Sequence, residues 1–116
     1  MSFGWDEAVA FALTLPGVTI GAGARGSTSP RIGGKQIVSQ GRAPGSYVLR
    51  ATREEIEILE QTDPETFWQT PQYQGWPTVL VRGERADPER MRILIARAWW
   101  DRASLSQRAA RGGERP

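Results

Sequence analysis

The chain has 116 residues, enough for one domain and too few for two ordinary ones, and its 39% hydrophobic and 24% charged content is that of a soluble globular protein. It contains no cysteine and no histidine, which excludes disulfides, thiolate catalysis, cysteine-built zinc and iron–sulfur sites, Ser-His-Asp triads and histidine-ligated haem. Fourteen Arg and one Lys face thirteen carboxylates, and a net charge of +2 does not by itself indicate a nucleic-acid partner. The distribution is more informative. Residues 1–52 carry net +3, residues 53–103 net −3 and residues 104–116 net +2. The molecule is therefore expected to be polarised, with a basic front half, an acidic helical half and a basic tail.

In chain order, residues 5–15 read as a helix. Trp5, Val9, Ala12 and Leu13 recur at helical spacing, Asp6 and Glu7 suit the first turn, and Pro16-Gly17 ends it. Val18-Thr19-Ile20 is a short β-branched run. Residues 21–30 read as a loop or a poorly ordered edge. Gly33-Gly34 between Arg31-Ile32 and residues 35–38 signals a two-residue hairpin. Gly41 to Gly45 makes a second turn, and residues 46–51 form the best strand of this region.

Thr52 with Glu55 is a capping box that opens a helix over residues 53–61. Asp63-Pro64-Glu65 reads as a cap and first-position proline that start a short helical turn through Phe67 and Trp68. Residues 70–77 form an aromatic loop, and residues 78–82 a strand. Asp87-Pro88 opens the clearest helix, about residues 88–103, with Met91, Leu94, Ile95, Ala98 and Trp99 as its apolar stripe. From Ser104 onward the period is lost and a frayed basic tail is expected.

Tight turns between strands predict a mainly antiparallel sheet, with helices gathered on one face: an α+β fold, a two-layer sandwich. The domain is expected to span residues 1–103, with 104–116 as the tail. No run approaches the ~18 apolar residues of a membrane span, and acids stand where a signal peptide needs positive charge, so a cytoplasmic protein is expected.

The stretch from Phe67 to Arg82, with Thr70-Pro71-Gln72-Tyr73, Gly75-Trp76-Pro77 and Val79-Leu80-Val81, resembles the signature of the MmcQ/YjbR-like family. Leu13-x-Leu15-Pro16-Gly17-Val18, Gly34-Lys35, Asp63-Pro64-Glu65-Thr66-Phe67 and Ala98-Trp99 resemble further family segments in the same order, so the likeness covers most of residues 8–103. Two departures stand out. Gln72 occupies a position where the family often has histidine, which removes a titrating group. Residues 21–30 are smaller and more polar than the family pattern. The resemblance implies a CyaY-like α+β sandwich and a DNA-binding role.

Several constellations are candidates for function. Gly21-Ala-Gly-Ala-Arg-Gly26 matches the G-x-G-x-x-G spacing of dinucleotide sites, but no helix follows it, so the amide fan that holds a pyrophosphate is missing and we read it as a loop. Arg25, Arg31, Lys35, Arg42 and Arg50 of the front half, with Arg108 and Arg111 of the tail, could contact DNA phosphates; alternatively they simply solvate strands and block edge pairing. Tyr47 could add a stacking ring, although alternation sets it on the face opposite Arg50.

Phe67, Trp68, Tyr73 and Trp76 cluster within ten residues. They could line a groove for a base, peptide or small ligand. Packing into the core is the reading we favour, because Trp76-Pro77 leads straight into a strand. Glu54, Glu55, Glu57, Glu60 and Asp63 make an acidic helix, which the frataxin-like analogy would connect with iron and which we read as a solvated face. A Ser–Lys dyad of Ser27, Ser29 or Ser39 with Lys35 has no supporting spacing. We expect no catalysis, no cofactor and no metal. The expected function is weak, largely sequence-independent DNA binding; the alternative is a protein- or small-ligand-interaction module that uses the aromatic loop, residues 67–77.

Overall fold

The computed structural model describes residues 2–22 and 26–116. Among them run, in order, α1 (Trp5–Ala12), β1 (Thr19–Ala22), β2 (Thr28–Ile32), β3 (Lys35–Gln36), β4 (Val38–Gln40), β5 (Ser46–Arg50), α2 (Arg53–Thr62), β6 (Phe67–Trp68), β7 (Thr78–Arg82), α3 (Pro88–Trp100) and α4 (Leu105–Ala109). The strands form two antiparallel sheets, β1-β2-β3 and β4-β5-β7-β6. Ile37 links them: its amide donates to the Pro30 carbonyl and its carbonyl accepts from the Arg50 amide. The fold is a mixed α+β architecture of antiparallel sheets and helices. No helix among the described residues is long and apolar enough to cross a membrane.

Side-chain alternation gives the four-stranded sheet two different faces. Tyr47, Leu49, Val79, Val81 and Phe67 point into a core completed by Ile56 and Leu59 of α2 and by Met91, Leu94, Ile95, Ala98 and Trp99 of α3. Burying each of these large apolar groups contributes on the order of 1.5–3 kcal/mol. Two polar atoms inside this core are satisfied by backbone: the Tyr47 hydroxyl donates to the Phe3 carbonyl at 2.7 Å and the Trp99 indole donates to Pro16 at 2.8 Å. Tyr47 is therefore a core residue and is not available as an exposed stacking ring. Burial, and secondarily Glu7, pushes its phenol far above the ordinary tyrosine range. The other face carries Ser39, Val48, Leu80 and Trp68 in one cross-strand row, with Arg50 and Thr78 paired in the next outward row.

Several local signals act as read. The Thr52 and Glu55 capping box is present, Asp87 caps α3 through the Arg90 amide, and Gly33 and Gly34 both adopt positive φ in the β2–β3 turn. Four expectations need correction. In the segment 21–30 the described residues include strand as well as loop: β1, an edge strand, runs through Ala22 and β2 starts at Thr28. After Asp63-Pro64-Glu65 there is only a single turn, because Phe67 and Trp68 pair as strand β6 with Val81 and Leu80. Cross-strand pairing and burial of Phe67 outweigh the proline signal there.

The first and last long helices are also shorter than expected, stopping at Ala12 and Trp100. Finally, residues past Ser104 do not run out as a frayed tail. Ser104 and Gln107 form a capping box for α4, and Arg115 reaches back to Asp101 at 2.9 Å and to Glu55 at 3.2 Å. The partners lie 14 and 60 residues away, which is why no local pattern announced the return.

A groove joining the cations and the aromatic loop

The loop between β6 and β7 folds over the outward face of the four-stranded sheet. Pro71–Tyr73 form one 3-10 turn, and Gly75 supplies the positive φ (84°) at which the chain reverses. The Gln69 amide nitrogen braces the loop from beneath by donating to the carbonyls of Tyr73, Trp76 and Thr78, at 3.1, 3.2 and 2.8 Å. Val48 and Leu80, on the outward face, are thereby covered and only 7% and 4% exposed. Trp76 is left 61% exposed at the rim. This corrects the expectation that Trp76 packs into the core. Of the four clustered rings only Phe67 is fully buried, while Trp68 and Tyr73 are half-buried. The Arg82 guanidinium stacks on Trp68 at 5.3 Å from the ring centre.

Between loop and sheet runs a groove of three adjoining cavities. The central one, about 350 Å³, is lined by Arg31, Lys35, Arg50, Tyr73, Trp76 and Thr78 among others. One end, about 230 Å³, shares Ser39, Val48 and Tyr73 with it and adds Arg42, Trp68 and Gln72. The other end, about 320 Å³, shares Lys35 and Arg50 and adds Thr52, Asp101 and Arg102. The basic face and the aromatic loop, which the sequence presents as separate candidates 17 or more residues apart, are thus walls of one groove.

The candidate cations divide by what already holds them. Arg31 extends its guanidinium along its own hairpin to the carbonyls of Ala22 and Gly34, so it braces β2 as well as adding charge. Among the described residues, Lys35, Arg42 and Arg50 make no ion pair and no side-chain hydrogen bond. Arg108 and Arg111 line no part of the groove. Arg108 caps α3, donating to the Trp100 carbonyl at 2.9 Å and stacking on its ring at 5.0 Å. Arg25 and the middle of the glycine motif lie outside the described residues; Gly21 and Ala22 belong to β1, and Thr28 begins a strand where a dinucleotide site needs a helix.

Arg102 is a groove residue that the sequence reading did not single out. Its side chain is half-buried, and its Nε has no hydrogen-bond partner among the described residues. Burial and the charge of Arg50 together hold its guanidinium below the ordinary arginine range, against the opposing effect of Asp101. Its sequence position just past the end of α3 resembles a routine helix-terminal cation, so nothing local marks it. The acidic helix is engaged elsewhere. Burial would raise Glu55, but its hydrogen bonds with Thr52 and Arg115 outweigh that and hold its carboxyl below the usual range. Arg97 adds a further contact at 3.3 Å. Among the described residues no three carboxylates converge in a way that could hold a metal ion.

The groove therefore offers three kinds of contact side by side: unpaired cations for an anion, ring faces for a flat π-system, and a shallow apolar floor of Val48 and Leu80. Comparison with known proteins adds no relative to this picture, since no family model, no curated protein and no solved structure matches the chain.

Proposed function

We propose that the protein is a non-enzymatic member of the MmcQ/YjbR-like family, with a CyaY-like fold, that binds DNA weakly and largely without sequence preference. The observation that carries this reading is the groove itself, where Lys35, Arg50 and Arg42 stand without carboxylate partners beside Tyr73 and Trp76. Cations that share one groove repel one another until an anion joins them, and DNA supplies both phosphate for the cations and stackable bases for the rings. Ser39 and Lys35 line the same cavity, but among the described residues no hydrogen bond joins them, and binding is the chemistry proposed.

Fluorescence anisotropy of labelled single-stranded and duplex DNA tests the reading. The expected affinity is about 10⁻⁴–10⁻⁶ M at physiological salt. With about three phosphates contacted, affinity should fall roughly twenty- to fortyfold between about 50 and 200 mM salt. No binding at the lower salt overturns the proposal. The exposed Trp76 supports a second reading, a module for a protein or small uncharged ligand. That module would bind with little salt dependence and lose binding on Trp76→Ala alone.

A further inference from the structure

The end of the groove formed by Lys35, Arg50 and Arg102 differs from the rest. It brings side chains from β3, from the end of β5 and from just past α3 into one cavity of about 320 Å³. The carboxylate that lines it, Asp101, is already committed to Arg115 through two hydrogen bonds of 2.9 Å. Arg102 directs Nη1 to the Ala98 carbonyl at 3.3 Å, while its Nε lies buried with no acceptor. A second buried group without a partner lies next door. Thr78, only 6% exposed, lines the adjoining cavity, and its buried hydroxyl has no hydrogen-bond partner among the described residues. Buried donors without acceptors are costly, and like charges held together are costlier still, unless a ligand completes them.

Trp76 lines the cavity adjoining this cluster, and Pro77 its wall. A ligand that satisfies both features carries a compact, multiply charged anion attached to a flat ring. Three cationic side chains match a phosphate monoester, with close to two negative charges and three acceptor oxygens, better than a singly charged phosphodiester.

We infer that Lys35, Arg50 and Arg102 form a phosphomonoester subsite, which receives the phosphorylated end of a single DNA strand with its terminal base against Trp76. The inference rests on the DNA-binding reading for the rest of the ligand, and narrows it from duplex to strand end. Free nucleoside monophosphates share the same chemistry, so the test separates the two sources.

The experiment uses the full chain and one short oligodeoxynucleotide in four forms: 5′-phosphorylated, 3′-phosphorylated, unphosphorylated, and unphosphorylated duplex, each with a fluorophore on a free end. The expected result is that one phosphorylated form binds at least fivefold tighter than the unphosphorylated strand. That preference should disappear in Arg102→Gln and Lys35→Gln and persist in Arg42→Gln. Lys35 is exposed, so its variant keeps the test decisive even if Arg102→Gln folds poorly.

Unphosphorylated and phosphorylated strands binding equally would overturn the subsite and leave the DNA reading standing. Failure of all four forms to bind would remove the DNA reading. Deoxynucleoside monophosphate is then added as competitor. If it displaces the phosphorylated strand only at far higher concentration than the strand itself, the strand-end assignment holds. If it binds as tightly as the strand, the assignment to a strand end is overturned in favour of the free nucleotide.

Discussion

The helical side of the molecule and the groove side use the same residue types in opposite ways. On the helical side, Trp99 is fully buried and its indole is hydrogen-bonded, and the charges close into a chain that runs from Arg97 to Glu55, Arg115 and Asp101. On the groove side, Trp76 is mostly exposed, and Lys35, Arg42 and Arg50 have no acid among the described residues to meet. One side has its polar demands met internally; the other leaves them open towards solvent. Where a sheet has one face packed by helices and the other covered by a single braced loop, the second face is where unmet charge can be tolerated until a partner arrives.

Mutations should separate the two sides, beginning with the largest change. Trp99→Ala removes the biggest buried side chain of α3 and should cost about 3–5 kcal/mol of stability, read by urea unfolding, which puts the native state itself in question. Lys35→Glu with Arg50→Glu should leave the unfolding free energy within about 1 kcal/mol of wild type, as surface substitutions usually do. DNA affinity at low salt should nonetheless fall on the order of a hundredfold. A double variant that binds as well as wild type would erase the functional contrast between the sides.

Next in size is Glu55, the hub of the paired side. Its carboxyl is held below the ordinary value in the folded state, so its contribution is present above the unfolded glutamate value of about 4.3 and is lost as pH falls through the lower folded value. Glu55→Gln should therefore cost about 1–2 kcal/mol at neutral pH, since it keeps the capping-box acceptor but loses the charge-assisted hydrogen bonds from Arg97 and Arg115. The deficit should shrink as pH falls below the unfolded glutamate value and wild-type Glu55 itself becomes protonated. A deficit independent of pH would mean that the ion pairs contribute nothing beyond shape. Trp76→Ala should change stability by less than about 0.5 kcal/mol, yet weaken single-strand binding about five- to tenfold through lost stacking. The smallest effect belongs to Arg108→Gln, which should leave DNA binding unchanged, because that guanidinium is occupied by Trp100 and faces no groove wall.

Much of this arrangement could be read locally. The Thr52 and Asp87 caps, the Gly33-Gly34 turn, the strands β5 and β7 and the stripe of α3 each depend on residues within a few positions of one another, and each formed as read. The candidate site was legible only in pieces. Lys35, Arg42, Arg50, Tyr73 and Trp76 were identifiable as cations and rings, but their convergence was not. Arg108 and Arg111 have the same composition signature and lie elsewhere. Trp76 was read as packed, because a ring beside proline before a strand ordinarily is; the Gln69 brace, reaching forward up to nine residues, holds it at the rim instead.

Local chemistry was thus sufficient for most of the element types, the antiparallel pairing and the absence of thiol and imidazole chemistry, because propensity, capping and side-chain inventory act over one or two turns of chain. Tertiary packing alone decided which charges are neutralised and which remain open. Glu55 meets Arg115 across 60 residues, and Arg102 joins Lys35 and Arg50 only because the end of α3 comes close to the end of β5. Coulomb energy depends on distance through space, and separation along the chain does not report it.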